Sequence, residues 1–128
     1  MRLLLDTHAL LWWMAGDTRL STRARKVIDA SDVDILVSAA SAFEISIKVR
    51  LGRLPEAERL AKNFLPSLTE QGFAHLPVTL AHGLRAGTLA GQHPDPFDRL
   101  LAAQAMIEDV PIVSADEAMR ELGADAFW

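Results

Sequence analysis

HPDPFDRLLAAQAMIEDVPIVSAD, residues 93–116, holds a helix start, an almost wholly apolar helix and a short apolar strand between acidic ends. Asp95 before Pro96 is a strong start signal, because an aspartate side chain accepts from the free N–H groups of a first turn and proline suits the first helical position. Asp98 then falls in that first turn. Leu100, Leu101, Ala102, Ala103, Ala105, Met106 and Ile107 put apolar side chains on both faces, which predicts a helix buried in the middle of the fold. Pro111-Ile112-Val113-Ser114 is a short run rich in β-branched residues, and Asp116 lies just past its end. In α/β folds, sites gather at the carboxyl ends of such strands.

The same pattern recurs upstream. Arg2 to Leu5 is a short apolar run closed by Asp6, and residues 7–15, with their leucines and tryptophans, read as a buried helix. Ser21 caps a helix to about Ala30, with Ala24, Val27 and Ile28 inward and a basic outer face. Asp34-Ile35-Leu36-Val37-Ser38 has the length of a buried parallel strand. Residues 43–51 alternate apolar and polar, the period of an exposed strand. Ser41 and Glu44, however, have capping-box spacing, Glu44 and Lys48 would pair at i,i+4, and Gly52 is a natural stop, so we read a helix.

Residues 55–68 read as one or two helices interrupted at Pro66 and forming an outlying arm. Residues 73–78 are a weak edge strand, since Pro77 removes a ladder donor, and Thr79 opens a helix to Leu89. A short helix at 117–122 ends at Gly123, and 126–128 make a last strand. Alternating strands and helices imply an α/β fold, a parallel sheet covered by helices on both faces, in one domain spanning 1–128.

Composition narrows the function classes. Half the residues are hydrophobic and 23% are charged, which excludes a disordered or fibrous chain. The absence of cysteine excludes disulfides and thiolate metal sites and fits a reducing compartment, with the cytoplasm as the expected location. Asp6 stops the first apolar run too early for a signal-peptide core, and no run approaches a membrane span. A net charge of −4 argues against a general nucleic-acid-coating protein but leaves room for an enzyme with a cation-binding acidic cleft. The histidines His8, His75, His82 and His93 lack the spacing of a zinc site, and neither a GxSxG serine nor a glycine-rich phosphate loop is present.

Asp6 closes the first strand, Asp116 follows the strand at Ile112 and Val113, Asp98 opens the buried helix before that strand and Glu44 lies near the start of the helix after Val37, so the four could share one cleft. Carboxylates held together repel unless protons or hard cations neutralise them, and an all-oxygen set favours Mg²⁺ or Mn²⁺. Such a metal polarises a phosphodiester and lowers the pKa of an attacking water, which points to phosphodiester hydrolysis. Each acid also has a local explanation. Asp6 could cap the first helix, Asp98 could complement the helix dipole, Asp116 could cap the last helix, and Glu44 could serve Ser41 or Lys48. The metal reading rests on their conjunction. Asp95, before Pro96, is read as a cap.

LLLDTHALLWW at the start, SAFEISIKVRLGRL in the middle, and DPFDRLLAAQA followed by PIVSAD resemble PIN-domain proteins of the VapC toxin type across nearly the whole chain. The resemblance implies a three-layer α/β/α domain around a parallel sheet and a metal-dependent endoribonuclease. It implies that Asp6 and Asp98 hold Mg²⁺ or Mn²⁺ directly, while Glu44 and Asp116 support the metal or the nucleophile and Ser114 steadies the site. It also implies a homodimer silenced by a small VapB-like antitoxin. Trp12, Trp13 and the helices between Ser41 and Leu68 offer apolar surface for that partner, although such stripes also build cores. Arg19, Arg23, Arg25, Lys26, Lys48, Arg50 and Arg53 could steer RNA phosphates. Two rivals remain. A haloacid-dehalogenase-type phosphatase would use Asp6 as nucleophile but needs an acid where His8 stands, and an inactive PIN-like module would only bind RNA or protein.

Overall fold

A computed structural model describes all 128 residues. Five strands form one parallel sheet: β1 (Arg2–Leu5), β2 (Asp34–Ser38), β3 (Ala74–Leu76), β4 (Ile112–Val113) and β5 (Ala126–Phe127), in the order β3-β2-β1-β4-β5. The central strand β1 is hydrogen-bonded on both sides, with Leu4 level with Leu36 on β2 and Ile112 on β4. The weak strands at 73–78 and 126–128 are the two edges, where the missing donor of Pro77 costs the ladder nothing.

Side chains of a strand alternate between faces, so Leu3 and Leu5 enter one core and Leu4 the other. All three are at most 1% exposed, and burying each stabilises the fold by about 2 kcal/mol. Leu4 packs with Leu36, Ile112 and the helices α6 (Leu80–Thr88), α7 (Pro96–Glu108) and α8 (Ala118–Glu121). Leu3 and Leu5 pack with α1 (Thr7–Ala15), α2 (Thr22–Asp29), α3 (Ala39–Arg50) and the segment 54–73. The result is the expected three-layer α/β/α arrangement. In α7 the buried residues Ala102, Ala103 and Ala105 are small, which lets the helix lie close over the sheet. No helix is long and apolar enough to cross a membrane.

Three local expectations are corrected. The helix after β2 begins at Ala39, capped by the Ser38 hydroxyl accepting from the Ala40 N–H at 2.9 Å, so Ser41 and Glu44 form no capping box. Both lie within the helix and turn to Thr7 instead. Pro66 does not interrupt a helix. It is the third residue of α5 (Phe64–Gln71), where its missing N–H has no intrahelical acceptor to lose, and the break falls at Asn63, between α4 (Glu58–Lys62) and α5. Nor is 53–72 an outlying arm. Ala57 and Leu68 are buried in the face that holds Leu3 and Leu5, with Leu54, Leu60 and Phe64 packed around them.

The helix starts follow from capping chemistry. Asp95 accepts from the N–H groups of Phe97 and Asp98 at 2.8 and 3.3 Å and opens α7, as its place before Pro96 predicts. Thr79 opens α6 with an unusual partner: its hydroxyl accepts from the His82 N–H at 3.2 Å, and its own N–H donates to His82 Nδ1 at 3.0 Å. The Nε2 proton of that buried ring then faces Glu108 at 3.1 Å, tying the start of α6 to the end of α7.

Candidate metal centre

The parallel sheet carries Asp6 and Asp116 to the same end of adjacent strands. Asp6 directly follows β1, its N–H donating to Val113 O at 3.1 Å, and Asp116 lies just beyond β4. Asp98 enters from above, in the first turn of α7. Carboxylate oxygens of Asp98 and Asp116 and a ring nitrogen of His93 all lie within 4.8 Å of one another.

Asp6 is the buried member, only 5% exposed, and no Lys, Arg or His forms an ion pair with it. Burial pushes its pKa up to about 6, against the pull of hydrogen bonds with the Ser114 side chain and the Ala9 N–H and of nearby His8, while Asp98 pushes it further up. The Ala9 N–H donates to Oδ1 at 2.8 Å, so Asp6 does cap α1, as its local explanation predicts. A cap uses one carboxylate oxygen and leaves the other open. Ser114 also accepts from the Asp116 N–H at 3.0 Å, and so stands between the two acids.

Asp98 is half-buried, and burial raises its pKa above the usual carboxylate range. Asp95 and Asp116 add to the rise, while the His93 hydrogen bond opposes it. The bond runs from His93 Nε2 to Asp98 Oδ2 at 2.8 Å and lifts the histidine pKa in turn. Asp116 is exposed, and its Oδ1 accepts from the Ala118 N–H at 2.9 Å, so the turn into α8 holds it. Asp6 lies outside this three-residue cluster but feels the charge of Asp98, and a set dominated by carboxylate oxygens is the donor chemistry of a hard divalent cation.

Glu44, like Asp6, is not among the three clustered residues. It is also 5% exposed, but its charge is met by Lys48 on the next turn of α3 and by the Thr7 hydroxyl, which donates to Oε1 at 2.6 Å. Since Thr7 donates there, it accepts from Ser41 at 3.0 Å. The predicted i,i+4 pair with Lys48 is therefore present, and Thr7, the neighbour of Asp6, links Glu44 to the end of β1. Three of the bases considered for RNA steering are engaged elsewhere: Lys48 with Glu44, Arg19 with the Asp17 carboxylate at 2.8 Å, and Arg25 with Asp17 O at 2.9 Å.

Reasoning from sequence missed two participants, His93 and Thr7. His93 lacks zinc spacing, but its position five residues before Asp98, on the loop leading into α7, is the available signal. Thr7 carried a fainter one, a hydroxyl in the residue after the strand-ending acid.

A cavity of about 610 Å³ is lined by none of Asp6, Asp98 and Asp116. His8, Leu11 and Trp12 of α1 form one wall, with Leu54, Leu60 and Asn63 opposite. The His8 ring stacks on Trp12 at 5.4 Å between centroids, and Trp12 meets Trp128 edge-on at 5.5 Å.

Comparison with known proteins agrees with this geometry. The PIN domain family matches residues 3–125. Ribonuclease VapC22 of Mycobacterium tuberculosis is 32% identical over 123 residues, covering 91% of this chain and 88% of that protein. Among solved structures, VapBC2 from Rickettsia felis bound to a promoter DNA fragment superposes with a TM-score of 0.72 at 13% identity, over 99% of this chain and 98% of that one. VapBC-1 from nontypeable Haemophilus influenzae gives 0.68 at 19% identity, over 100% of this chain and 96% of that one. A family match over nearly the whole length, with acids at the strand ends of the expected parallel sheet, leads to one conclusion: the chain belongs to the PIN-domain family and is a homologue of the VapC ribonucleases.

Proposed function

We propose that the protein is the toxin of a type II toxin–antitoxin pair, a Mg²⁺- or Mn²⁺-dependent endoribonuclease built on a single PIN domain over 1–128. The observation that carries this reading is the buried Asp6 carboxylate, without an ion-pair partner and close enough to Asp98 to feel its charge, Asp98 in turn clustering with Asp116 and His93. Asp6 and Asp98 would hold the cation directly, and Asp116 would support it or orient the attacking water. When bound, the cation supplies charge neutralisation, a more acidic water and stabilisation of the leaving oxygen. Ser114 holds the Asp116 backbone in place and lowers the pKa of Asp6. Glu44, neutralised by Lys48, keeps the Thr7 turn rigid beneath the site.

A VapB-like antitoxin fits the groove along α1, whose mixed apolar and polar walls suit an amphipathic segment. Leu80 and Leu84, four residues apart on α6, are 89% and 74% exposed, and we assign that face to a homodimer. The deciding experiment is cleavage of total cellular RNA by the antitoxin-free protein with Mg²⁺, Mn²⁺ or EDTA, beside Asp98→Asn. Cutting that needs metal and is lost in the variant is expected. Equal inertness of two folded proteins across RNAs and metals would overturn the nuclease reading in favour of a binding module.

A further inference from the structure

We propose that His93 is the positioning residue of the metal centre: its ring N–H fixes the Asp98 carboxylate, and Arg99 fixes His93. The proposal rests on the metal-dependent reading above. Asp98 sits on a rigid helix turn, but its side chain needs its own restraint, because the torsion that turns a carboxylate is broad and two-fold. Asp95 takes the capping role at this helix end. The one hydrogen bond to the Asp98 carboxylate comes from His93 Nε2, at 2.8 Å. A carboxylate has no proton to give, so the ring donates, and a charge-assisted bond to Oδ2 leaves Oδ1 available to a cation.

That bond would be of little use if His93 moved, since it lies in the loop between α6 and α7, with no strand or helix to hold it. Arg99, the residue after Asp98, supplies the hold. Its Nε donates to Ala86 O at 2.9 Å, its Nη2 to Leu89 O at 2.6 Å, and its Nη1 to His93 O at 3.2 Å. The guanidinium forms no ion pair with an acid. Its donor fork is spent on three carbonyls, two of them at the end of α6, where a cation is favoured by the helix dipole. The chain of restraint therefore runs from the end of α6 through Arg99 to the His93 backbone, and through the ring to Asp98. Pro94 and Pro96, on either side of Asp95, stiffen the same loop. His93 is not itself a ligand in this arrangement, because its Nε2 is committed to Asp98.

The test is Mn²⁺ binding to the full chain at one pH, by calorimetry, in wild type, Asp98→Asn, His93→Ala and His93→Gln. We expect Asp98→Asn to abolish binding, His93→Ala to weaken it 10–100-fold, the range for removal of a ligand's hydrogen-bond partner, and His93→Gln, whose amide still donates, to recover part of the loss. Unfolding temperatures in EDTA are expected to stay at the wild-type value in both His93 variants. Wild-type affinity in His93→Ala would overturn the proposal, as would a lowered unfolding temperature with unchanged affinity. A directly coordinated nitrogen in the pulsed electron paramagnetic resonance spectrum of bound Mn²⁺, lost in both His93 variants, would also overturn it by making the ring a ligand. If wild type fails to bind Mn²⁺ at all, the metal-dependent reading itself falls. If wild type and Asp98→Asn behave as expected and His93→Ala does not, only the positioning role falls.

Discussion

Replacing Asp6 by asparagine removes a buried charge while leaving an oxygen to cap α1, so the metal-free protein should become more stable. Asparagine caps helices as well as aspartate, which preserves the bond from the Ala9 N–H. The sign follows from linkage. Burial raises the Asp6 pKa from 3.8 to about 6 in the folded protein, so folding is penalised wherever the carboxylate is charged. The penalty is absent below pH 3.8, grows between 3.8 and about 6, and is complete above that. At about 1.4 kcal/mol per pH unit the full gap is about 3 kcal/mol at pH 8, falling to about 1 kcal/mol at pH 4.5. Asp6→Asn should therefore gain up to about 3 kcal/mol at pH 8 in EDTA, or about 10 °C in unfolding temperature for a chain of this length. Urea unfolding of both proteins at pH 8 and pH 4.5 reads this gap directly. Added Mn²⁺ should then stabilise the wild type more than the variant and close it. A variant no more stable than wild type at pH 8, or a gap that does not shrink at pH 4.5, would show that Asp6 is simply a cap.

Asp109 ends α7 with φ at 54°, a left-handed conformation costly for a side-chain-bearing residue, and it puts a negative charge at the negative end of the helix dipole. Asp109→Gly should stabilise the protein by about 1 kcal/mol in chemical denaturation, and a loss would refute the assignment. Gln104, fully buried, accepts from Ser38 Oγ and donates to Pro77 O at 3.1 Å. Gln104→Ala orphans both and should cost about 2–3 kcal/mol, with faster amide exchange in β3 as the local sign. Leu84→Glu places a charge on the exposed α6 face, and sedimentation should change from dimer to monomer with helical content unchanged. A dimeric variant would move the interface elsewhere.

Most of the architecture was legible because each strand is a short apolar run closed by a polar residue, and each main helix carries its start signal in the side chain before it. Ser21, Asp95 and Thr79 all cap as their sequence positions suggest. The errors arose where two signals fitted the same residues. Ser41 and Glu44 have the spacing of a capping box, but Ser38, three residues earlier, captured the helix start, and the freed pair was drawn to Thr7 across the fold. Pro66 looked like a break because its helix start at Asn63 carries no side-chain cap to announce it. At the site, strand-end acids were visible from order alone. Local spacing cannot reveal which acid keeps a counter-ion, because that depends on contacts such as Glu44 with Thr7, which are distant in sequence.

That distinction separates structure from chemistry in this molecule. Asp6 and Glu44 are equally buried, each 5% exposed, and a buried carboxylate costs stability unless something neutralises it. Glu44 carries its neutralising partner on the same helix, in Lys48, and is satisfied within the folded chain. Asp6 accepts from the Ala9 N–H but has no cation, and the charge of Asp98 makes its own harder to bear. Hydrogen bonds alone leave its pKa near 6, so the fold holds an acid that it does not itself neutralise. A cation held by Asp6 and Asp98 would lift that penalty, and the stability given up in the metal-free protein would return as part of the affinity for metal.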